Sequence, residues 1–208
     1  MAGMSAIEIH PLTPGRWADL EKVFEARGCS VARGCWCLFY RETGDFIVPG
    51  MKAAAQARKA KLRSLAEAGP PPGLLAYRDG EPVGWVTLGP RGDFKRLARS
   101  RAMKAVDDRP VWSIVCFVVP TAHRGQGVAS ALLAGAVAFA KSQGATLLEA
   151  YPKDPAGRLA DDSMWFGAKS MYDKAGFEEV ARHTPGRPVM RKALARRGAP
   201  RKAKGPPA

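Results

Sequence analysis

The sequence predicts an α/β (α+β) fold in which helices flank one central sheet, and three observations carry that prediction. Short apolar runs punctuated by Gly and Pro recur along the chain, two of them meeting at the hairpin dipeptide Asp79-Gly80. Three longer segments instead space their apolar residues for a helix. The most strand-like run, VWSIVCFVV, passes through a glycine turn directly into one of those helices.

A chain of 208 residues suits one domain and is long enough to bury a core. Hydrophobic residues make up 46% and charged residues 25%, so the formal charge of +14 is a surplus on an ordinary globular composition and not the mark of a disordered polycation. Such a surplus favours anionic partners, whether cofactor phosphates, nucleic acid or an acidic surface. Part of it is local. Residues 191–208 hold seven Lys and Arg, no acid and no sustained apolar stripe, so a disordered basic tail is expected after a domain of residues 1–190. No apolar run approaches the ~18 residues of a membrane span, and the N-terminus shows no signal-peptide core. With only four cysteines, reduced thiols and a cytoplasmic location are expected.

In chain order, SAIEIHPL reads as a short strand, and Thr13 or a neighbour caps a helix carrying Trp17, Leu20, Val23 and Phe24 on one face, with Gly28 as its stop. The cysteine- and aromatic-rich stretch CSVARGCWCLFYRETGDF reads as a connection. A second helix runs from Met51 to Ala68 and ends at GPPPG. GLLAYRD and PVGWVTLG form the hairpin through Asp79-Gly80, and a basic, partly helical insertion follows from Arg91 to Pro110. VWSIVCFVV is placed centrally in the sheet. Val128, Leu132, Leu133, Ala136, Val137 and Ala140 define a helix stopped by Gly144. TLLEAY is a strand, AKSMYDKAGF a short helix ending at Gly176, and FEEVARH and PVMRKA are the closing strands.

The turn between strand and helix, Arg124-Gly125-Gln126-Gly127-Val128-Ala129, carries the chemistry. A glycine turn opening a helix presents unpaired N–H groups and the positive end of the helix dipole to one point, which suits phosphate. The glycines allow close backbone approach, and Arg124 can add a charge-assisted contact. The six-spaced glycines of a dinucleotide fingerprint and the Lys-Ser/Thr pair of a P-loop are both missing.

Arg124, Gly127 and Ala129 fill the specified positions of Arg/Gln-x-x-Gly-x-Gly/Ala, and Tyr172 with Gly176-Phe177 matches Tyr-x-x-x-Gly-Phe. In these two linked motifs the chain resembles the GNAT superfamily of N-acetyltransferases over roughly Gly73 to Ala181. The resemblance implies a mixed, mostly antiparallel sheet splayed at the cofactor site. It implies acetyl-CoA as acyl donor, with its pyrophosphate on the backbone of Arg124, Gly125, Gln126, Gly127, Val128 and Ala129. Its pantetheine arm would add as an extra strand along Phe117, Val118 and Val119.

Acyl transfer from a thioester to an amine needs a neutral amine, a polarised carbonyl and a proton for the departing thiolate. Tyr172 is the expected proton donor. An amine of pKa ~10.4 is almost wholly protonated at pH 7, so a base or a desolvated site must supply roughly 4–5 kcal/mol. The strand before the turn lacks the glutamate that many relatives carry there. Glu149 is the first candidate base, with Asp161 and Asp162 in reserve. Where relatives often have an asparagine, this chain has Asp154 and a longer loop, expected to line the acceptor pocket with Cys35-Trp36-Cys37. The spacing of Cys29, Cys35 and Cys37 does not match a structural zinc site, so no metal is expected. His123 lies beside the turn.

The function expected is N-acetyl transfer from acetyl-CoA to a primary amine of a small molecule or protein. The alternatives are a basic nucleic-acid-binding protein, an acetyltransferase acting on charged RNA, and a GNAT-like module that binds an acyl-CoA without turnover. Interleaved aromatics and a base-reading motif, which nucleic-acid binding would use, are missing.

Overall fold

The computed structural model describes residues 5–43, 52–154 and 164–194. One seven-stranded sheet runs in the order β1 (Glu8–Pro11), β2 (Gly73–Arg78), β3 (Glu81–Pro90), β4 (Trp112–Val118), β5 (Leu147–Ala150), β7 (Arg187–Ala193) and β6 (Glu178–Thr184). All named strand pairings are antiparallel except β4 with β5. Asp79 and Gly80 both take left-handed backbone, φ 51° and 79°, as the tight hairpin between β2 and β3 requires. The apolar run of β4 is the middle strand because it is covered on both faces, which rewards continuous hydrophobicity over alternation.

The core divides at the sheet. On one face α5 (Val128–Ser142) lays Leu132, Leu133 and Ala136 against Leu74, Val86 and Ile114. On the other, α1 (Trp17–Glu25) and α3 (Lys52–Ala68) bring Leu20, Phe24 and Leu62 onto Leu75, Trp85 and Val118. The four residues expected on the buried face of α1 are all buried.

The parallel pairing is short, and this opens the sheet. It covers Trp112 with Leu148, Ser113 with Glu149 and Ile114 with Ala150, then ends, while β4 continues to Val118 against Trp85 of β3. Beyond Ile114 the two halves splay.

Several boundaries differ from expectation. A 3-10 turn, Pro14–Arg16, leads into α1, and Thr13 makes no side-chain cap. The connection after Gly28 holds a helix, α2 (Ser30–Cys35), whereas the helices in the basic insertion, α4 (Lys95–Ala98), and before β6, α6 (Lys169–Lys174), lie where they were expected. The domain does not stop at residue 190, because β7 continues to Ala193 and Leu194 is buried. Arg191 stays in the sheet because it finds a carboxylate there, Glu149. The expected tail from 195 onward lies outside the described residues. No helix among the described residues is long and apolar enough to cross a membrane.

Candidate active site

A cavity of about 1070 Å³ opens where β4 outruns β5, large enough for a cofactor and an acceptor together. Its walls come from α2 and the segment after it, the end of β4, the 123–127 turn, the first residues of α5, and residues 164, 165 and 167. Cys35 and Cys37 of the cysteine-aromatic connection and Met164, Trp165 and Gly167 of the long loop line this cavity, whereas Trp36 does not.

At its mouth Gly125 and Gly127 have φ of 70° and 82°, and a Cβ on either would meet nothing within 4 Å. Both positions therefore present bare backbone to open space at the head of a 15-residue helix. This arrangement fits a phosphate group, and with it the pyrophosphate of acetyl-CoA. Val128 and Ala129 line the same space. Arg124 does not act as a free clamp: its Nε donates to the Val119 carbonyl at 3.1 Å and its Nη2 to the Gly28 carbonyl at 2.9 Å. The guanidinium ties the turn to the link between α1 and α2. Gly28 is required there, since its φ is 85° and a Cβ would stand 2.0 Å from Thr121 Oγ1. Gln126 does not line the cavity; its Nε2 donates to the Ala122 carbonyl at 2.7 Å, and Arg78 braces its side chain and carbonyl.

Phe117, Val118 and Val119 all line the cavity, but part of their backbone is engaged. The Phe117 N–H donates to the Trp165 carbonyl at 2.7 Å, and the Val119 carbonyl accepts from Arg124. The next carbonyl after Trp165, that of Phe166, accepts the Tyr172 hydroxyl at 3.0 Å. One dipeptide, Trp165-Phe166, therefore occupies both the strand-edge amide and the phenol that the resemblance assigns to the cofactor. Tyr172 is fully buried behind that wall; burial, and secondarily the nearby Cys116, push its phenol far above the usual range.

Tyr40, which sequence reasoning passed over, does line the cavity. Burial is the main cause that raises its phenol to about 12, opposed by Arg187. Its only sequence signal was membership of the aromatic-rich connection.

Glu149 is not brought to the cavity. It is 0% exposed, its Oε2 accepts from Arg191 Nε at 2.8 Å, and its Oε1 accepts from Arg91 at 2.8 Å and from the Tyr151 hydroxyl at 2.5 Å. With both oxygens engaged and no cavity contact, the expected base is a structural counter-ion, because a strand residue pointing between two basic neighbours is fixed by them. Asp154 pairs with Arg182 at 2.6 Å, and Asp161 and Asp162 lie outside the described residues. His123 lines the cavity, as do Cys29, Cys35, Cys37 and Cys116.

A family model described as the acetyltransferase (GNAT) family matches residues 38–161. Comparison with curated proteins finds no match. Among solved structures, a ribosomal-protein-alanine N-acetyltransferase from Brucella melitensis is 20% identical, with a TM-score of 0.52 over 90% of this chain and 99% of that one. The structure of yncA from Salmonella typhimurium with its cofactor acetyl-CoA is 17% identical, with a TM-score of 0.52 over 94% and 98%. An agmatine N-acetyltransferase in its apo form is 12% identical, with a TM-score of 0.53 over 90% and 99%. At these identities the likeness is one of fold.

Proposed function

From the acetyltransferase (GNAT) family, to which this chain belongs, we propose that it transfers an acetyl group from acetyl-CoA to a primary amine of a small molecule or protein. One observation carries the reading: two left-handed glycines face open space at the head of α5, in the cavity where the sheet splays. Acetyl-CoA supplies an activated acetyl thioester when bound.

The backbone from Arg124 to Ala129 holds the phosphates, with Arg124 and Gln126 acting through the shape of the turn they brace. The edge of β4 from Phe117 to Val119 aligns the arm that carries the thioester. The Phe117 N–H, now on the Trp165 carbonyl, would hold that arm once freed. The Tyr172 hydroxyl, now on the Phe166 carbonyl, would supply a proton to the leaving thiolate if Trp165-Phe166 gave way. The apolar side chains of Val118, Val119 and Trp165 lower the water content around the acceptor, favouring its neutral, nucleophilic form. Proximity and desolvation take the place of the base that Glu149 does not provide.

The test is incubation with acetyl-CoA and an amine panel of polyamines, aminoglycosides, peptides and charged tRNA, following free thiol. Amine-dependent thiol release is expected. Stabilisation by acetyl-CoA without release for any amine would favour the non-catalytic module, and RNA binding without either would favour the nucleic-acid reading.

A further inference from the structure

The basic insertion plays no part in the coenzyme reading, yet it builds a second cavity. Residues 95–104 carry five Lys and Arg and no acid. Two of these cations, Arg96 and Arg99, line a space of about 260 Å³ with Thr43 and Ser100. Phe39 and Tyr40, from the segment after α2, also line it, and both line the large cavity as well. Among the described residues no others line the two spaces together. The small cavity therefore adjoins the large one at the Phe39-Tyr40 wall. It takes no wall from the β4 edge or the glycine turn that would hold acetyl-CoA.

The polar groups of the small cavity are donors. The Arg96 guanidinium is fixed in advance: its Nε donates to the Glu42 carbonyl at 2.8 Å, and its carbon lies 4.6 Å from the centre of the Phe39 ring. Arg99 is exposed, and its side chain makes no hydrogen bond or ion pair with any described residue. Ser100 Oγ accepts the Met103 N–H at 3.2 Å and keeps its own O–H to give. The described carboxylates closest in sequence are already taken, Glu42 by Lys95 at 3.6 Å and Asp93 by Arg41 at 3.3 Å. None of the described residues lining either cavity is Asp or Glu. An ammonium at this end of an acceptor would face two guanidinium groups, whereas a carboxylate or phosphate would receive charge-assisted hydrogen bonds from them.

We propose that the small cavity is an anion subsite, holding the carboxylate or phosphate of a small acceptor whose amine reaches past Phe39 and Tyr40 into the large cavity. The acceptor class is thus an amine with an anionic group at its far end, an ω-amino carboxylate or an aminoalkyl phosphate. Arg96, half-buried and anchored, carries more of the selectivity than the exposed Arg99, whose charge water and salt screen.

The acceptor class rests on the acetyltransferase reading, whereas anion binding by the small cavity does not. The experiment supplies saturating acetyl-CoA and a length series of ω-amino carboxylates, with O-phosphoethanolamine and with amino alcohols and diamines of matching lengths, and follows free thiol. At the best length kcat/KM for the amino carboxylate should exceed that of the amino alcohol by about tenfold or more, with the diamine poorest. A preference of that size for O-phosphoethanolamine over ethanolamine instead would name phosphate as the anion. Arg96→Gln should cut the preference by about tenfold through KM, Arg96→Lys should restore part of it, and KM for acetyl-CoA should stay as in the wild type. Arg99→Gln should act in the same direction and less; being exposed, it keeps the test open if Arg96→Gln does not fold, which circular dichroism checks. In parallel, the N-acetylated amino carboxylates, which need no coenzyme, are titrated by thermal shift. Stabilisation that the N-acetylated amino alcohols do not give, and that Arg96→Gln loses, is expected. Anionic acceptors no better than neutral or dicationic ones, or variants that lose charged and neutral acceptors equally, overturn the proposal. Stabilisation without acetyl transfer to any amine keeps the subsite and removes the transferase reading; transfer without stabilisation or preference does the reverse.

Discussion

Glu149 and Arg191 face each other in the register of β5 and β7, and the Arg191 Nε donates to Glu149 Oε2 at 2.8 Å inside the sheet. Arg91 reaches the other oxygen from the turn after β3, and Arg191 continues to Asp107 at 2.7 Å. Three separate chain segments are thus tied to one strand on the far side of the splay from the glycine turn. Removing one member of a buried ion pair strands the others without a counter-charge.

Glu149→Gln should therefore act on stability. About 3–5 kcal/mol is expected, nearer the lower figure because Asp107 still faces Arg191. Urea unfolding measures it, and kcat per folded molecule should be unchanged. A variant of normal stability with a depressed kcat would return Glu149 to the role of base.

Tyr172→Phe should lower kcat by about 10²–10⁴, because the departing thiolate loses its proton donor. The same change leaves the buried Phe166 carbonyl without its donor, costing about 1 kcal/mol. Tyr40→Phe is the companion variant, since Tyr40 lines the cavity. A kcat loss in Tyr40→Phe alone would move the proton donor to that side of the cavity.

Much of the fold was legible because local rules and tertiary context agree. The apolar stripe of α5, the Asp79-Gly80 hairpin and the central run of β4 each need only neighbouring residues to be read. The glycine turn was legible for the same reason. What was hidden depends on partners distant in sequence. Nothing near Glu149 announces Arg91 or Arg191, so a buried counter-ion looked like an available base. Arg124 looked like a phosphate ligand because its carbonyl partners at Val119 and Gly28 carry no side-chain signal. The helix α2 escaped because SVARGC is six residues long with no buried stripe, and its stability comes from packing on α1 and α3.

Gly127→Val should abolish the thermal shift produced by acetyl-CoA. The new side chain would project into the open space where the phosphate is proposed to sit. With φ at 82°, the residue also pays conformational strain of about 1–3 kcal/mol, so the ligand-free melting temperature falls modestly. An undiminished shift in the folded variant would remove the phosphate site from this turn.

The chain has four tyrosines, Tyr40, Tyr77, Tyr151 and Tyr172, and all four phenols are held above their usual range. Burial is the leading cause in each, and the carboxylates of Asp19 and Glu149 add to it at Tyr77 and Tyr151. An acid whose folded pKa exceeds its unfolded value of about 10 keeps its proton more tightly when folded. Its contribution to stability is complete below about pH 10 and is lost as pH rises through the folded value, which Tyr40 reaches first at about 12. Absorbance at 295 nm should consequently show little tyrosinate at about pH 10.5 in the folded protein, whereas the chain in guanidinium should already be more than half ionised. Above that pH, tyrosinate should appear together with the loss of ellipticity, because ionisation and unfolding are linked. Two or more tyrosines titrating near pH 10 with ellipticity intact would show that these phenols are reached by solvent in the folded state. Tyr40 would then lose its standing as a cavity group that remains protonated throughout the working pH range.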